Sequence, residues 1–167
     1  ICRDDHEAPE NTLLPIPGDL VRMGKSRQSG LYGWDNEYGT HEKAVGDFKA
    51  SRYLVSNREY LTFVEDGGYT EERFWSPEGW KWATYDKRGM PRFWRRDARG
   101  HYQLRCMLEE IAMPWSWPVE TNNLEAEAFC RWKAAKTGLP IRLPTEEEWY
   151  RLHAYSGVED VTSWESV

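Results

Sequence analysis

Long apolar runs are missing from this 167-residue chain. The longest reach about three residues, as at Tyr53-Leu54-Val55, where a bilayer crossing needs roughly 20. A membrane span and a secretory leader core are therefore not expected. Cysteine is scarce: Cys2, Cys106 and Cys130 lie far apart, and without a C-x-x-C pair these residues hold no zinc ribbon and no thioredoxin motif. Three dispersed thiols fit a reduced, cytoplasmic protein. The four histidines, His6, His41, His101 and His153, are equally scattered. A helical two-histidine site needs a spacing near four to put both rings on one face, so each is expected to be structural or exposed, and no metal site is assigned. There is no G-x-S-x-G turn, and Gly67-Gly68 lacks the following Lys-Ser/Thr of a phosphate loop. Lys and Arg number 22 against 28 Asp and Glu, a net charge of −6 that argues against a general nucleic-acid binder.

What is abundant is aromatic surface. Ten Trp, nine Tyr and five Phe argue for an ordered core. Three helix starts share one signature: Ser56 with Glu59, Asn122 with Glu125 and Thr145 with Glu148 each set a capping oxygen three residues before a carboxylate. Apolar residues follow at helical spacing (Tyr60, Leu61, Phe63 and Val64; Leu124, Ala128, Phe129, Trp132 and Ala135; Trp149 and Leu152), and Gly67 and Gly138 supply stops. Strands are expected at Leu20–Met23, Phe48–Val55 and His101–Cys106, the last with Tyr102, Leu104 and Cys106 inward. The Trp-rich stretch from Phe74 to Trp117 reads as strand and loop. Few helices, short strands and long loops give an α+β fold, loop-rich. Residues 1–18, with Pro9, Pro15, Pro17 and Gly18, read as a linker, and 19–167 as one folded part. Residue 1 is Ile, and Ser163 to Val167 carries no recognisable stop signal, so the chain is expected to be a fragment at both ends.

Chemistry is harder to place. Glu109-Glu110 and Glu146-Glu147-Glu148 could form acid/base pairs, but the second cluster opens a helix, where acids complement the dipole. Residues 81–106 hold eight Lys or Arg against Asp86 and Asp97, interleaved with Trp82, Tyr85, Phe93, Trp94 and Tyr102. That excess fits an anionic ligand, an acidic partner domain, or a merely solvated surface. The turn Trp34-Asp35-Asn36-Glu37 mixes acids, an amide and a ring. It is a candidate substrate-binding wall, with Asp35 or Glu37 pairing an ammonium group and Trp34 as a flat face. Alternatively, Asp35 and Asn36 tie down their own turn.

Several motifs resemble a known family. Tyr32-Gly33 with Trp34–Glu37, Val55-Ser56-Asn57-Arg58-Glu59-Tyr60-Leu61, Asp66-Gly67-Gly68-Tyr69, Ala128-Phe129-Cys130-Arg131-Trp132 and Arg142 to Trp149 are similar to the formylglycine-generating-enzyme (sulfatase-modifying-factor) domain. Ala8-Pro9-Glu10-Asn11-Thr12-Leu13-Leu14-Pro15, Leu31 to Gly39, Gly79-Trp80-Lys81-Trp82 and Met113-Pro114-Trp115-Ser116-Trp117-Pro118-Val119-Glu120 narrow the resemblance to sulfoxide synthases. The 5-histidylcysteine sulfoxide synthases of ovothiol biosynthesis match best, with the ergothioneine type, or a non-catalytic lectin-like binding module, as alternatives. The resemblance implies a C-type-lectin-like fold, of which 19–167 would be the N-terminal part. It also implies a cytoplasmic parent with an upstream DinB-like domain and a possible downstream methyltransferase domain. That parent would use Fe(II) and O₂ to join cysteine to histidine. The family's H-x3-H-x-E iron motif and its active-site tyrosine have no counterpart in these residues. Fe(II) is therefore expected to be bound outside this segment, no catalytic or metal residue is assigned here, and the segment alone is expected to be inactive, with no nucleic-acid or membrane partner.

Overall fold

The computed structural model describes residues 7–28, 30, 32–85 and 87–157. Cys2, His6 and the stretch beyond Gly157 lie outside the described residues. The chain divides into two compact units: residues 1–12 with 51–143, and residues 13–50 with 144–167.

The larger unit is built on aromatic packing. Helices α1 (Asn57–Glu65), α2 (Pro77–Tyr85) and α3 (Asn123–Thr137) accompany a three-stranded antiparallel sheet of β5 (Trp94–Arg96), β6 (Tyr102–Arg105) and β7 (Glu110–Ala112). Ser56 and Asn122 cap α1 and α3 as expected, each side chain accepting from the backbone N–H three residues on, Glu59 and Glu125. Tyr60 and Phe63 of α1 meet Phe129 and Trp132 of α3. Tyr60 stacks on Phe129 with centroids 5.2 Å apart, and Phe63 stands edge-on to Trp132 at 5.6 Å. Trp94, Phe74, Trp75 and Tyr69 complete the core. Ala135, expected on the buried stripe, is exposed one turn past it. Gly68 is required by close packing: a Cβ there would stand 2.2 Å from the Phe63 ring.

Helix α2 runs through the Phe74–Trp117 stretch that reads as strand and loop. Its start follows ordinary rules: Pro77 takes the first position, where a missing N–H costs nothing, and the Ser76 hydroxyl accepts from the N–H of Gly79 at 3.0 Å. Gly79, which would weaken a solvated helix, is buried, and a Cβ there would press on Trp75 at 3.1 Å. Packing overrides propensity here.

In the smaller unit β1 (Leu13–Ile16) pairs with β4 (Phe48–Ser51), and β2 (Asp19–Met23) pairs antiparallel with β3 (His41–Val45), from Asp19 opposite Val45 to Met23 opposite His41. Strand β1 lies inside the stretch read as a linker, where Pro15 and Pro17 mask it and Ile16 is buried. Strand β4 stops at Ser51, four residues short of the Val55 that its composition suggests. Helix α4 (Glu146–Ser156) has Thr145 as cap, with Glu148 closing the reciprocal pair of bonds. It packs on β2 and β3. Glu147 pairs with Lys43, and Arg151 donates to the Pro17 carbonyl at 2.7 Å. Lys43 holds the Glu147 carboxyl down at about 2. Among the described residues no helix is long and apolar enough to cross a membrane.

Candidate functional site

The turn singled out from sequence forms a single turn of tight helix over Asp35–Glu37, in the smaller unit. The Glu37 carboxylate, not the Asp35 and Asn36 side chains alone, closes it. Its Oε2 accepts from the Trp34 N–H at 2.9 Å, while the Glu37 N–H donates to the Trp34 carbonyl at 3.0 Å. Lys25 braces the same loop: its N–H donates to the Glu37 carbonyl at 3.2 Å and its ammonium to the Tyr32 carbonyl. At Gly33 a Cβ would stand 2.8 Å from Glu37 Oε2, so a larger residue there would make the Glu37 side chain shift. Asp35 does contribute locally, accepting from the Asn36 N–H at 3.1 Å. These bonds are those of a self-tied turn, one of the two alternatives read from the sequence. Trp34, Asp35 and Asn36 all stay exposed, Trp34 to 66%, with the Tyr32 ring edge-on at 6.1 Å.

A second feature lies in the larger unit. A cleft of about 290 Å³ is lined by Pro9, Asn11, Tyr53, Leu54, Ser56, Glu59, Ser116 and Pro118. It joins two motifs that carry the family resemblance, the Ala8–Pro15 stretch and the Met113–Glu120 stretch. Asn11 imitates a strand partner for Tyr53, donating to its carbonyl at 3.1 Å and accepting from its N–H at 3.0 Å. Asn11 also donates to Glu59 Oε2 at 3.0 Å, and Lys133 takes the other oxygen. Glu59 is thereby diverted from the reciprocal cap its spacing predicts. Segment 113–119 lies against the start of α1: the N–H groups of Asn57 and Arg58 donate to the carbonyls of Trp117 and Trp115, at 2.8 and 3.0 Å. Both motifs are legible in the sequence, but their convergence is not. The signal was there in Asn11 and Ser116, polar residues set among prolines and tryptophans.

A third cluster is buried. Glu125, expected only as a cap partner, is 2% exposed. Its Oε1 accepts from the Tyr69 hydroxyl at 2.6 Å and its Oε2 from the Asn122 N–H at 3.0 Å. Burial pushes its carboxyl above the usual range and raises the Tyr60 and Tyr69 phenols as well. Burial likewise raises the half-buried Cys130 thiol, which makes it a poor nucleophile. His101 is exposed and bonded to Asp97 at 3.0 Å.

Iron is the cofactor the resemblance implies. Among the described residues no three His, Cys, Asp or Glu side chains converge as a metal site would require. These residues do not fit the ion.

Comparison with known proteins agrees with the family read from the motifs. "Hercynine oxygenase" of Mycolicibacterium smegmatis is 34% identical over 154 residues, covering 88% of this chain and 32% of that protein. "Inactive C-alpha-formylglycine-generating enzyme 2" of Mus musculus is 28% identical over 159 residues, 85% of this chain and 47% of its own length. "Ergothioneine biosynthesis protein 1" of Schizosaccharomyces pombe is 26% identical over 149 residues, 81% of this chain and 16% of its own length. The chain thus spans about a third of the hercynine oxygenase it matches. Residues 3–164 match the sulfatase-modifying factor enzyme 1-like domain, and the chain belongs to that family.

Proposed function

We propose that this chain is part of a cytoplasmic, O₂-dependent non-haem iron sulfoxide synthase that joins a cysteine thiol to a histidine-type imidazole. The family membership and the similarity to hercynine oxygenase support this reading most directly. Fe(II) and the catalytic tyrosine would come from outside this segment, in a parent with an upstream DinB-like domain and a possible downstream methyltransferase domain. The C-type-lectin-like fold belongs to the same proposal.

Within the segment, the reading gives the Trp34–Glu37 turn a binding role. Asp35 pairs the ammonium of an amino-acid substrate, the Asn36 amide and the Trp34 ring border it, and Glu37 holds the turn in shape. Asp35→Asn in the parent enzyme is then expected to raise KM several-fold with the melting temperature unchanged, which steady-state kinetics and a thermal melt check together. Unchanged kinetics with a lowered melt would mark the turn as structural only.

The motif details favour histidine with cysteine as substrates, the ovothiol type. The similarity to hercynine oxygenase favours a second reading, in which the imidazole partner is hercynine, with cysteine or γ-glutamylcysteine as thiol donor. Incubating the full-length parent with Fe(II), O₂ and each pair separates them. A sulfoxide adduct of histidine and cysteine, seen by mass spectrometry, supports the first reading. An adduct formed only with hercynine supports the second, and no adduct with any pair overturns both.

A further inference from the structure

The basic stretch noted in the sequence becomes, in the larger unit, a structured ridge. Strands β5 and β6 pair with Trp94 opposite Leu104 and Arg96 opposite Tyr102, so these four side chains share one face of the hairpin. Trp94 is buried and stands edge-on to both Tyr102 and Trp115, at 5.5 and 6.1 Å. Tyr102 and Trp115 are themselves edge-on, with centroids 5.8 Å apart. Each of these two half-buried rings carries an arginine. The Arg96 guanidinium carbon lies 4.1 Å from the Tyr102 centroid, and that of Arg58 lies 4.2 Å from the Trp115 centroid. Two guanidiniums thus bracket a fixed pair of rings.

Stacking restricts the long arginine side chains before any ligand arrives, so less entropy remains to be lost on binding. Arg96 spends donors on the Tyr102 hydroxyl and the Gly100 carbonyl, but a guanidinium has five. Among the described residues no carboxylate pairs with Arg58, Arg92, Arg96 or Arg99. The reason is visible in the hairpin. Its single acid, Asp97, is turned inward on the loop, where it accepts from the N–H groups of Arg99 and His101, both at 2.8 Å, and from the His101 ring. The hairpin has consumed its own counter-charge and left its arginines unmatched, in a chain whose net charge is −6.

We propose that the Arg58–Trp115–Tyr102–Arg96 ridge docks an acidic polypeptide segment through carboxylate–guanidinium pairs. The planar N–H edges match carboxylates two at a time. Guanidiniums already cover a face of each ring, so the ridge is no platform for stacking bases. The ridge shares no residue with the Trp34–Glu37 turn, and the proposal does not depend on the synthase reading.

The test is fluorescence anisotropy of a labelled hexaglutamate peptide titrated with the chain at low and high salt. Saturable binding that weakens with salt is expected. The paired substitution Arg58→Gln with Arg96→Gln should weaken it by about tenfold or more, with near-UV circular dichroism unchanged. Arg58→Lys, which keeps the charge but loses the planar fork, should also weaken it. Should the paired variant lose its fold, Arg92→Gln with Arg99→Gln, which removes charge from exposed side chains, should still lower affinity. Absence of saturable binding to the folded chain overturns the proposal. So does tighter binding of a labelled oligothymidylate, or self-association of the chain, seen by sedimentation, that the same arginine variants abolish.

Discussion

Asn57 shows how one polar side chain can organise an apolar core. It is 1% exposed, and its spacing in the sequence marks it only as the first residue of a helix. Its amide donates to the Pro114 carbonyl at 2.9 Å and accepts from the Trp94 indole N–H at 3.3 Å. Three segments far apart in sequence meet on it. Asn57→Ala would strand a carbonyl and an indole N–H in the core, and a buried group left without a partner costs about 1–3 kcal/mol. Urea titration of the variant should show a loss of about 2–4 kcal/mol. A loss below about 1 kcal/mol would mean that neighbouring groups or water take over both bonds. Glu125 makes a different kind of demand. Burial raises its carboxyl above the usual 4.5, so the folded chain keeps a proton the unfolded chain has released. Stability contributed at this site therefore falls as pH rises from 4.5 through the folded-state value. Glu125→Gln, which cannot ionise, should flatten that slope when melting temperatures are compared at ~pH 5 and ~pH 8. An unchanged slope would place the titration elsewhere.

Helix α3 carries the clearest element-scale prediction. Phe129 and Trp132, three residues apart, face the same side, and both are buried against Phe63. Trp132 also donates its indole N–H to Asp66 at 3.2 Å. Trp132→Ala should cost about 3–5 kcal/mol in a denaturant titration, because the ring leaves a cavity that helices on both sides cannot collapse into. The same helix explains what was legible in the sequence. Its cap, stripe and glycine stop are all local signals, and so are the caps of α1 and α4, although Trp149, read as an apolar face residue of α4, is exposed. Helix α2 was not legible, because its signals conflict: a proline start is followed by Gly79 and three large aromatics, and only burial against Trp75 resolves the conflict. Strand β1 was hidden for a similar reason, since prolines at its centre and just past its end read as linker until Ile16 is seen buried. At the candidate sites, the turn at Trp34 could be read because its residues are contiguous. The cleft at Asn11 and the ridge at Trp115 could not, because their members are brought together by pairings tens of residues apart.

The two units differ in how much holds each of them closed. Among the described residues, the larger has twelve buried apolar residues in one cluster, eight of them aromatic. In the smaller, among the described residues, only Ile16, Val21 and Met23 are buried apolar side chains, and Leu20, Trp34 and Trp149 are more than half exposed. Burying a large apolar side chain contributes roughly 1.5–3 kcal/mol, so the difference in core size outweighs any difference in capping, which is worth about 1 kcal/mol per helix. What remains to the smaller unit is two short two-stranded ladders, the Arg151–Pro17 hydrogen bond and the Lys43–Glu147 pair near the surface, and surface pairs add little. Local opening should therefore be graded along the chain. In native-state hydrogen exchange, the ladder amides of β2 and β3 are expected to exchange through low-energy openings, well before the amides of Tyr60, Phe63, Phe129 and Trp132. Equal protection across both units would show that they open together as one cooperative body, and that the aromatic core stabilises the ladder strands as strongly as its own helices.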